Sequence, residues 1–265
     1  MRSIWSGAIS FGLVNIPVKL YPATGSRRVT FHLLHNLCGS RIRYRKWCPV
    51  CDREVGPEDL VRGYEYARGQ YVIVREEELE RLPVPTKRTI EILDFVQSEE
   101  IDPVYYDTAY YLEPDRGGEK AYRLLMAAMA ERRRIAVAKV TLCTRETLAA
   151  LRGYQGRALV LSTMYYPDEI RPVAEIPGLA RQPDLQEREL ELAVHIIDNL
   201  SGPFEPTRYT DEYREALQEL IARKIEGREV SYAPEEPRAP VIDLMEALKR
   251  SLEATERRPR RQVQG

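Results

Sequence analysis

At 265 residues the chain can fill one large core or a core with an appendage, and 43% apolar with 31% charged residues describes a soluble globular protein. No run of about 18 apolar residues is present to span a bilayer. The opening MRSIWSGAISFG breaks into Ser and Gly too early for a secretory leader, so the cytoplasm is the expected compartment.

In chain order, residues 4–21 mix β-branched and aromatic side chains with Gly7, Gly12 and Pro17, which predicts two short strands joined near Gly12. Residues 31–35, 41–47, 64–66 and 71–75 are further strand candidates. In 41–45 the period-2 rule puts Arg41, Arg43 and Arg45 on one face and Ile42 and Tyr44 on the other. Residues 76–82 predict a short acidic helix halted by Pro83 and Pro85. Strands are expected at 89–96, 104–106 and 110–113, and a helix at 119–131 with Tyr122, Leu125, Met126 and Met129 on one side. A strand at 135–142, a short helix at 147–151 and a strand at 158–164 complete this half. Many short strands with scattered helices favour a β-barrel over a βαβ layout.

After Pro183 the pattern changes to amphipathic helices at 185–200 and 209–225, the second with a stripe of Tyr213, Leu217, Leu220 and Ile221. Residues 234–240, PEEPRAP, form a linker. A last helix at 241–252 carries Val241, Leu244, Met245, Leu248 and Leu252 on one stripe, and a basic tail follows, expected to be disordered.

The net charge of −1 argues against a nucleic-acid binder when taken alone, but it is unevenly distributed. Residues 19–75 hold 11 Lys/Arg against 5 Asp/Glu, and 120–172 hold 10 against 4. The intervening 76–119 hold 4 against 13, and 173–236 hold 7 against 15. Such blocks suit a fold with one basic and one acidic face, or simply solvated surface.

Three of the four cysteines lie in one stretch. His35-x2-Cys38, nine residues, then Cys48-x2-Cys51 is the spacing with which two tight turns offer zinc four ligands, with His32 as an alternative to His35. A site filled by protein ligands is structural; the alternative reading is reduced thiols at a hairpin end. Cys143 reads as a small core residue. No Walker or dinucleotide loop, G-x-S-x-G or H-E-x-x-H occurs, and His195 falls within an apolar-periodic helix, so nothing argues for an enzyme. Between the cysteine pairs, Arg41, Arg43, Arg45 and Lys46, with Arg27, Arg28, Arg53 and Arg62 nearby, form a cationic set suited to phosphates. Tyr44 and Trp47 allow base stacking instead, and an edge strand guarded by charge is the plain alternative.

The segments IWSGAISFGLVNIPVKLY, FHLLHNLCGSRIRY with CPVC, EIDPVYYDTAYYLEPDRGGEKAYRLL, YPDEIR, ELELAVHIIDNLSGPFEPTRYTDEYREALQELI and VIDLMEALKRSL, in this order, resemble the bacterial Ku family from residue 1 to about 252. The resemblance implies an α+β, mainly β fold: a Ku-type β-barrel core with an extended strand bridge, C-terminal helices and a ring-shaped homodimer. The implied organisation is a core at 1–183 with a bridge arm at about 27–75, a helical arm at 184–230 reaching the partner, a linker at 231–240 and a C-terminal helix and tail at 241–265.

The implied job is sequence-independent binding of double-stranded DNA ends in non-homologous end joining, at the nucleoid, with recruitment of the ATP-dependent end-joining ligase of the ligase D type. Arg41, Arg43, Arg45 and Lys46 then face the duplex. Leu192, Val194, Ile196, Ile197, Leu217, Leu220 and Ile221 supply core or dimer contacts, and Val241, Leu244, Met245 and Leu248 fall in the region associated with the ligase. The tail departs from the long Lys-rich tails of many relatives, having only Arg257, Arg258, Arg260 and Arg261. The residues also leave open a zinc-ribbon module for protein or single-stranded RNA, and a metal-assisted nuclease.

Overall fold

The structure is a computed structural model; it describes residues 1–81, 88–142, 145–180, 184–227 and 244–256. The chain divides into two compact units, Met1–Pro172 and Val173–Gly265. Among the described residues, no helix is long and apolar enough to cross a membrane. Cys143, the 231–240 linker, Val241 and the basic tail, all singled out from the sequence, lie outside the described residues.

The first unit begins with the hairpin of β1 (Trp5–Phe11) and β2 (Val14–Pro22), turned at Gly12, whose φ is +58°. A left-handed φ is open to glycine at no steric cost. An arm follows, with β3 (Trp47–Cys48), β4 (Arg53–Glu54), β5 (Arg62–Ala67), β6 (Gln70–Val74) and the helix α1 (Glu76–Glu80). The chain then returns as β7 (Thr89–Val96), β8 (Tyr106–Pro114), α2 (Glu119–Arg132), β9 (Ile135–Leu142), β10 (Arg145–Tyr154) and β11 (Ala158–Met164).

Seven of these strands close a barrel in the order β1-β2-β8-β11-β10-β9-β7. Closure is the parallel pairing of β1 with β7, in which Ile9 stands opposite Ile90. The other six pairings are antiparallel. Period-2 patterning decides what fills the interior: Ile16, Val18 and Leu20 of β2 are buried and alternate with less buried residues. With Ile9, Ile90, Val140, Leu151, Leu159 and Leu161 they are almost wholly buried, and each such side chain contributes roughly 1.5–3 kcal/mol of transfer free energy.

Helix α2 lies against β2 and β10. Its face of Tyr122, Leu125 and Met129 enters the same core cluster, with Met126 partly buried beside it. It starts at Gly118, where an added Cβ would stand 2.8 Å from the Pro17 carbonyl oxygen. Arg133 ends it in the left-handed region, φ +50°.

The barrel expectation therefore holds, with local corrections. The predicted helix at 147–151 is the middle of β10, because β9 and β11 flank it and hydrogen-bond it from both sides. Residues 103–105 form a single 3-10 turn, capped by Asp102 Oδ1 accepting from the Val104 N–H at 2.9 Å, and the strand starts at Tyr106. Residues 31–35 and 41–47 are not regular strands. They contribute one isolated bridge, Leu34 to Arg41, and the two-residue β3.

The second unit contains α3 (Glu187–Leu200), α4 (Glu212–Ile225) and α5 (Leu244–Glu256). The Asp211 carboxylate caps α4 by accepting from the Arg214 N–H at 2.9 Å. Helix α5 lies against α3. Leu192, Ala193 and Ile196 on α3 and Met245, Ala247, Leu248 and Leu252 on α5 are the half-buried apolar positions. None of the described residues of this unit is fully buried.

Candidate nucleic-acid interface

Between β2 and β7 no described side chain of residues 23–81 is buried. The arm is thus built from backbone hydrogen bonds and turns rather than from a core. Its first hairpin is pinned by the His35 N–H to Ser40 C=O (2.8 Å), Gly39 N–H to His35 C=O (2.8 Å) and Ile42 N–H to Leu33 C=O (2.9 Å) bonds. Gly39, at φ +68°, makes the turn. Within that turn His35 Nδ1 is 3.1 Å from Cys38 Sγ, and Cys38 Sγ is 3.2 Å from Ser40 Oγ. Hydrogen bonds from Ser40, hydroxyl first and backbone N–H next, and from His35 bring the Cys38 thiol down to about 7.

The second hairpin pairs Trp47 with Glu54 and Cys48 with Arg53, and the Val55 N–H closes it on the Lys46 carbonyl at 3.0 Å. Asp52, at φ +50°, makes the tight reversal after Cys51. The N–H groups of Cys51 and Val50, and then the Cys51 thiol, hydrogen-bond Cys48 and lower its pKa, whereas Cys51 is raised by its neighbour Cys48. The four sequence-predicted metal ligands are therefore present as two pairs, one per hairpin. Among the described residues no three His, Cys, Asp or Glu side chains gather as a group that could hold a metal ion.

Residues 42–46 connect the two hairpins and have no regular secondary structure. Arg41, Arg43, Arg45 and Lys46 are all exposed, as are Arg27, Arg28, Arg53 and Arg62. The alternation of arginines on one face rested on a strand, and no ladder imposes it here. Arg45 is paired with Glu54 at 3.0 Å and Arg62 with Glu76 at 3.1 Å. Among the described residues Arg27, Arg28, Arg41, Arg43, Lys46 and Arg53 have no carboxylate within ion-pair distance. Tyr44 is 84% exposed and Trp47 57%. The arrangement offers a run of unneutralised cations interleaved with open aromatic faces, which can bind polyphosphate backbone or stack bases.

Sequence reasoning missed Ser40 and Glu54. Glu54 is nine residues from its partner and meets it only because the second hairpin folds back, so no sequence periodicity marks it. Ser40, two residues beyond Cys38, is readable as a sulfur partner once Gly39 is known to turn. His195 is exposed on α3 rather than packed in a core, and Leu244 is exposed while Met245 and Leu248 are half-buried. The cleft on the barrel lined by Asp107, Arg145, Thr163 and Glu169 is internally satisfied. In it Arg145 pairs with Glu169, and the Thr163 hydroxyl lies 3.2 Å from Asp107 Oδ2.

A closed seven-stranded barrel that extrudes a basic, coreless arm between its second strand and the strand that closes it defines a barrel-and-arm class. Residues 10–192 match the family model described as the Ku70/Ku80 beta-barrel domain. Three proteins named "Non-homologous end joining protein Ku" are similar along nearly the whole chain. That of Symbiobacterium thermophilum is 51% identical over 259 residues, covering 97% of this chain and 64% of that one. That of Heliobacterium modesticaldum is 48% identical, covering 96% and 92%, and that of Archaeoglobus fulgidus 46%, covering 96% and 99%. The chain belongs to the Ku family.

Proposed function

We propose that two copies of this chain close a ring around a broken end of double-stranded DNA in non-homologous end joining, with the barrel as cradle and the arm as bridge. The observation that carries this reading is the arm itself. It presents exposed cations on a segment with no core of its own, in a chain of the Ku family. Phosphate contacts of this kind position a protein on the duplex without reading sequence. The protein acts as a scaffold at the nucleoid with no chemistry of its own, and it recruits and stimulates an ATP-dependent end-joining ligase. The helix α5, with exposed Leu244 at its start, is the proposed contact for that ligase.

The test is a gel shift at moderate salt comparing one duplex in linear and in covalently closed circular form. The linear form is expected to be retained at concentrations that leave the circle free. Equal affinity for both would overturn ring threading, and turnover of DNA by the pure protein with Mg²⁺ or Mn²⁺ would overturn the scaffold reading in favour of a nuclease. Ligation by the partner ligase is expected to rise on adding the protein and to lose that rise with Leu244→Asp.

A further inference from the structure

The strand registers root the arm at one end of the barrel. Strand β2 runs out into it after Pro22, beside the start of β1, where Trp5 stands opposite Leu20. The other end holds the β1–β2 turn at Gly12, the start of β9 at Ile135 and the β10–β11 turn at Gln155 and Gly156. Helix α2 caps this second end. It follows the last residue of β8, packs on β2 and β10, and runs into β9 through Arg132, Arg133 and Arg134.

The capped end is cationic. Residues 115–134 hold 6 Lys/Arg against 3 Asp/Glu, and 152–157 hold 2 against none. Arg116, Lys120, Arg123, Arg132, Arg133 and Arg157 are exposed. Among the described residues none of them has a carboxylate within ion-pair distance. The acids of these segments are Glu119, Glu131 and Asp115, and Lys19 already holds Asp115 at 2.9 Å. Arg133 ends α2 at φ +50° and ψ +45°, the left-handed position that helices commonly give to glycine. Cations at a helix C-terminus favour its dipole. That accounts for Arg132, but not for an arginine where glycine would sit without strain.

We infer that this end of the barrel is a second phosphate-binding surface, and that its ligand is a second stretch of duplex DNA, separate from the one at the arm. Arginines free of carboxylates hold the evenly spaced charges of a phosphate backbone without reading bases. Strand β9 has 8 residues, so at roughly 3.3 Å per residue the two barrel ends stand about 26 Å apart. That is about three Debye lengths at physiological salt, so phosphates held at the arm's root are screened from this end. Joining requires two ends in one place, and a chain with two separated phosphate surfaces can hold both. This last step rests on the end-binding reading above.

The experiment uses the full chain and two linear duplexes, one biotinylated and one fluorescent. With wild-type protein, streptavidin beads carrying the first duplex are expected to retain the second. Arg132→Ala, Arg133→Gly and Arg134→Ala together are expected to cut that retention about tenfold, while gel-shift affinity for a single duplex changes less than about twofold. Arg133→Gly alone is expected to raise the melting temperature, because glycine takes the left-handed position freely, and still to weaken retention. A lower melting temperature would make Arg133 a helix-end residue and overturn its assignment to phosphate.

No retention by the wild type, or undiminished retention by the triple variant, overturns the second surface. Single-duplex affinity that falls in step with retention means that these arginines hold the duplex at the arm, which overturns the assignment to a second one. Equal binding of linear and closed circular DNA by the wild type overturns the end-binding reading, and retention lost on substitution in that case leaves the second surface standing.

Discussion

Tyr122 shows how much one hydroxyl can hold. Leu112 of β8 and Leu159 of β11 stand opposite each other in the barrel. The Tyr122 hydroxyl donates to the Leu112 carbonyl at 2.7 Å and accepts from the Leu159 N–H at 2.6 Å. It thereby satisfies both strands with a group from α2. Burial raises the Tyr122 pKa, so the phenol stays a neutral donor. Its ring position was readable from helical spacing. Its hydroxyl role was not, because that needs the β8–β11 register. Tyr122→Phe keeps the ring in the core but leaves a buried N–H and a buried C=O without their partner. The expected cost is roughly 1–3 kcal/mol, read as a lower urea midpoint with an unchanged slope. DNA affinity measured on the folded variant is expected to stay the same. A stability change under about 0.5 kcal/mol would show that the hydroxyl is dispensable.

At the level of elements, the strands with two hydrogen-bonding neighbours were mostly readable, and the errors have physical causes. TLAAL at 147–151 is rich in helix formers, yet it forms strand because propensities of a few tenths of a kcal/mol per residue yield to ladder bonds on both sides and to burial of Ala149, Ala150 and Leu151. The reverse error is RIRYRKW, whose alternation reads as strand but which has no neighbouring strand to pair with beyond the Leu34–Arg41 bridge. The cations of the candidate site are legible in the sequence and exposed in the structure, whereas their arrangement depends on two turns that composition does not encode.

The structure also makes those cations unequal. Arg41 and Arg43 have no carboxylate partner among the described residues, while Arg45 is held by Glu54. Replacing Arg41, Arg43 and Arg45 with Ala together is expected to flatten the slope of log K against log salt by 2–3, about one per lost phosphate contact. Arg45→Ala alone is expected to give less than one, because Glu54 already neutralises it in the free protein. An unchanged slope in the triple variant, measured by fluorescence anisotropy between low and moderate salt, would place the segment away from phosphate.

At the scale of the whole molecule, a net charge of −1 coexists with a basic stretch at 19–75 because the acidic blocks at 76–119 and 173–236 offset it. Such segregation steers a polyanion to one surface and away from another. The same chain leaves apolar surface that its own folding does not cover. On α3, one side chain set (Leu192, Ala193, Ile196) is half-buried on a helix that lies against α5, while Val194, Ile197 and Leu200 on the remaining surface are exposed, Ile197 at 62%. Positions 194 and 197 share one face by i, i+3 spacing. A helix with apolar residues on two faces is satisfied only when both are covered. In the proposed ring, a second copy of the chain covers the open one. Val194→Asp with Ile197→Asp places two charges where that contact removes water, and central interface positions of this kind cost 2 kcal/mol or more each. Light scattering is expected to show a dimer for the wild type and a monomer for the double variant, with barrel and helix signals intact by circular dichroism. The monomer is expected to lose its preference for linear over closed circular DNA, since one half-ring cannot enclose a duplex. A dimer of unchanged affinity would move the subunit contact off α3. The β5–β6 hairpin, whose Tyr64, Tyr71 and Ile73 are more than half exposed, would then be the surface through which two arms meet.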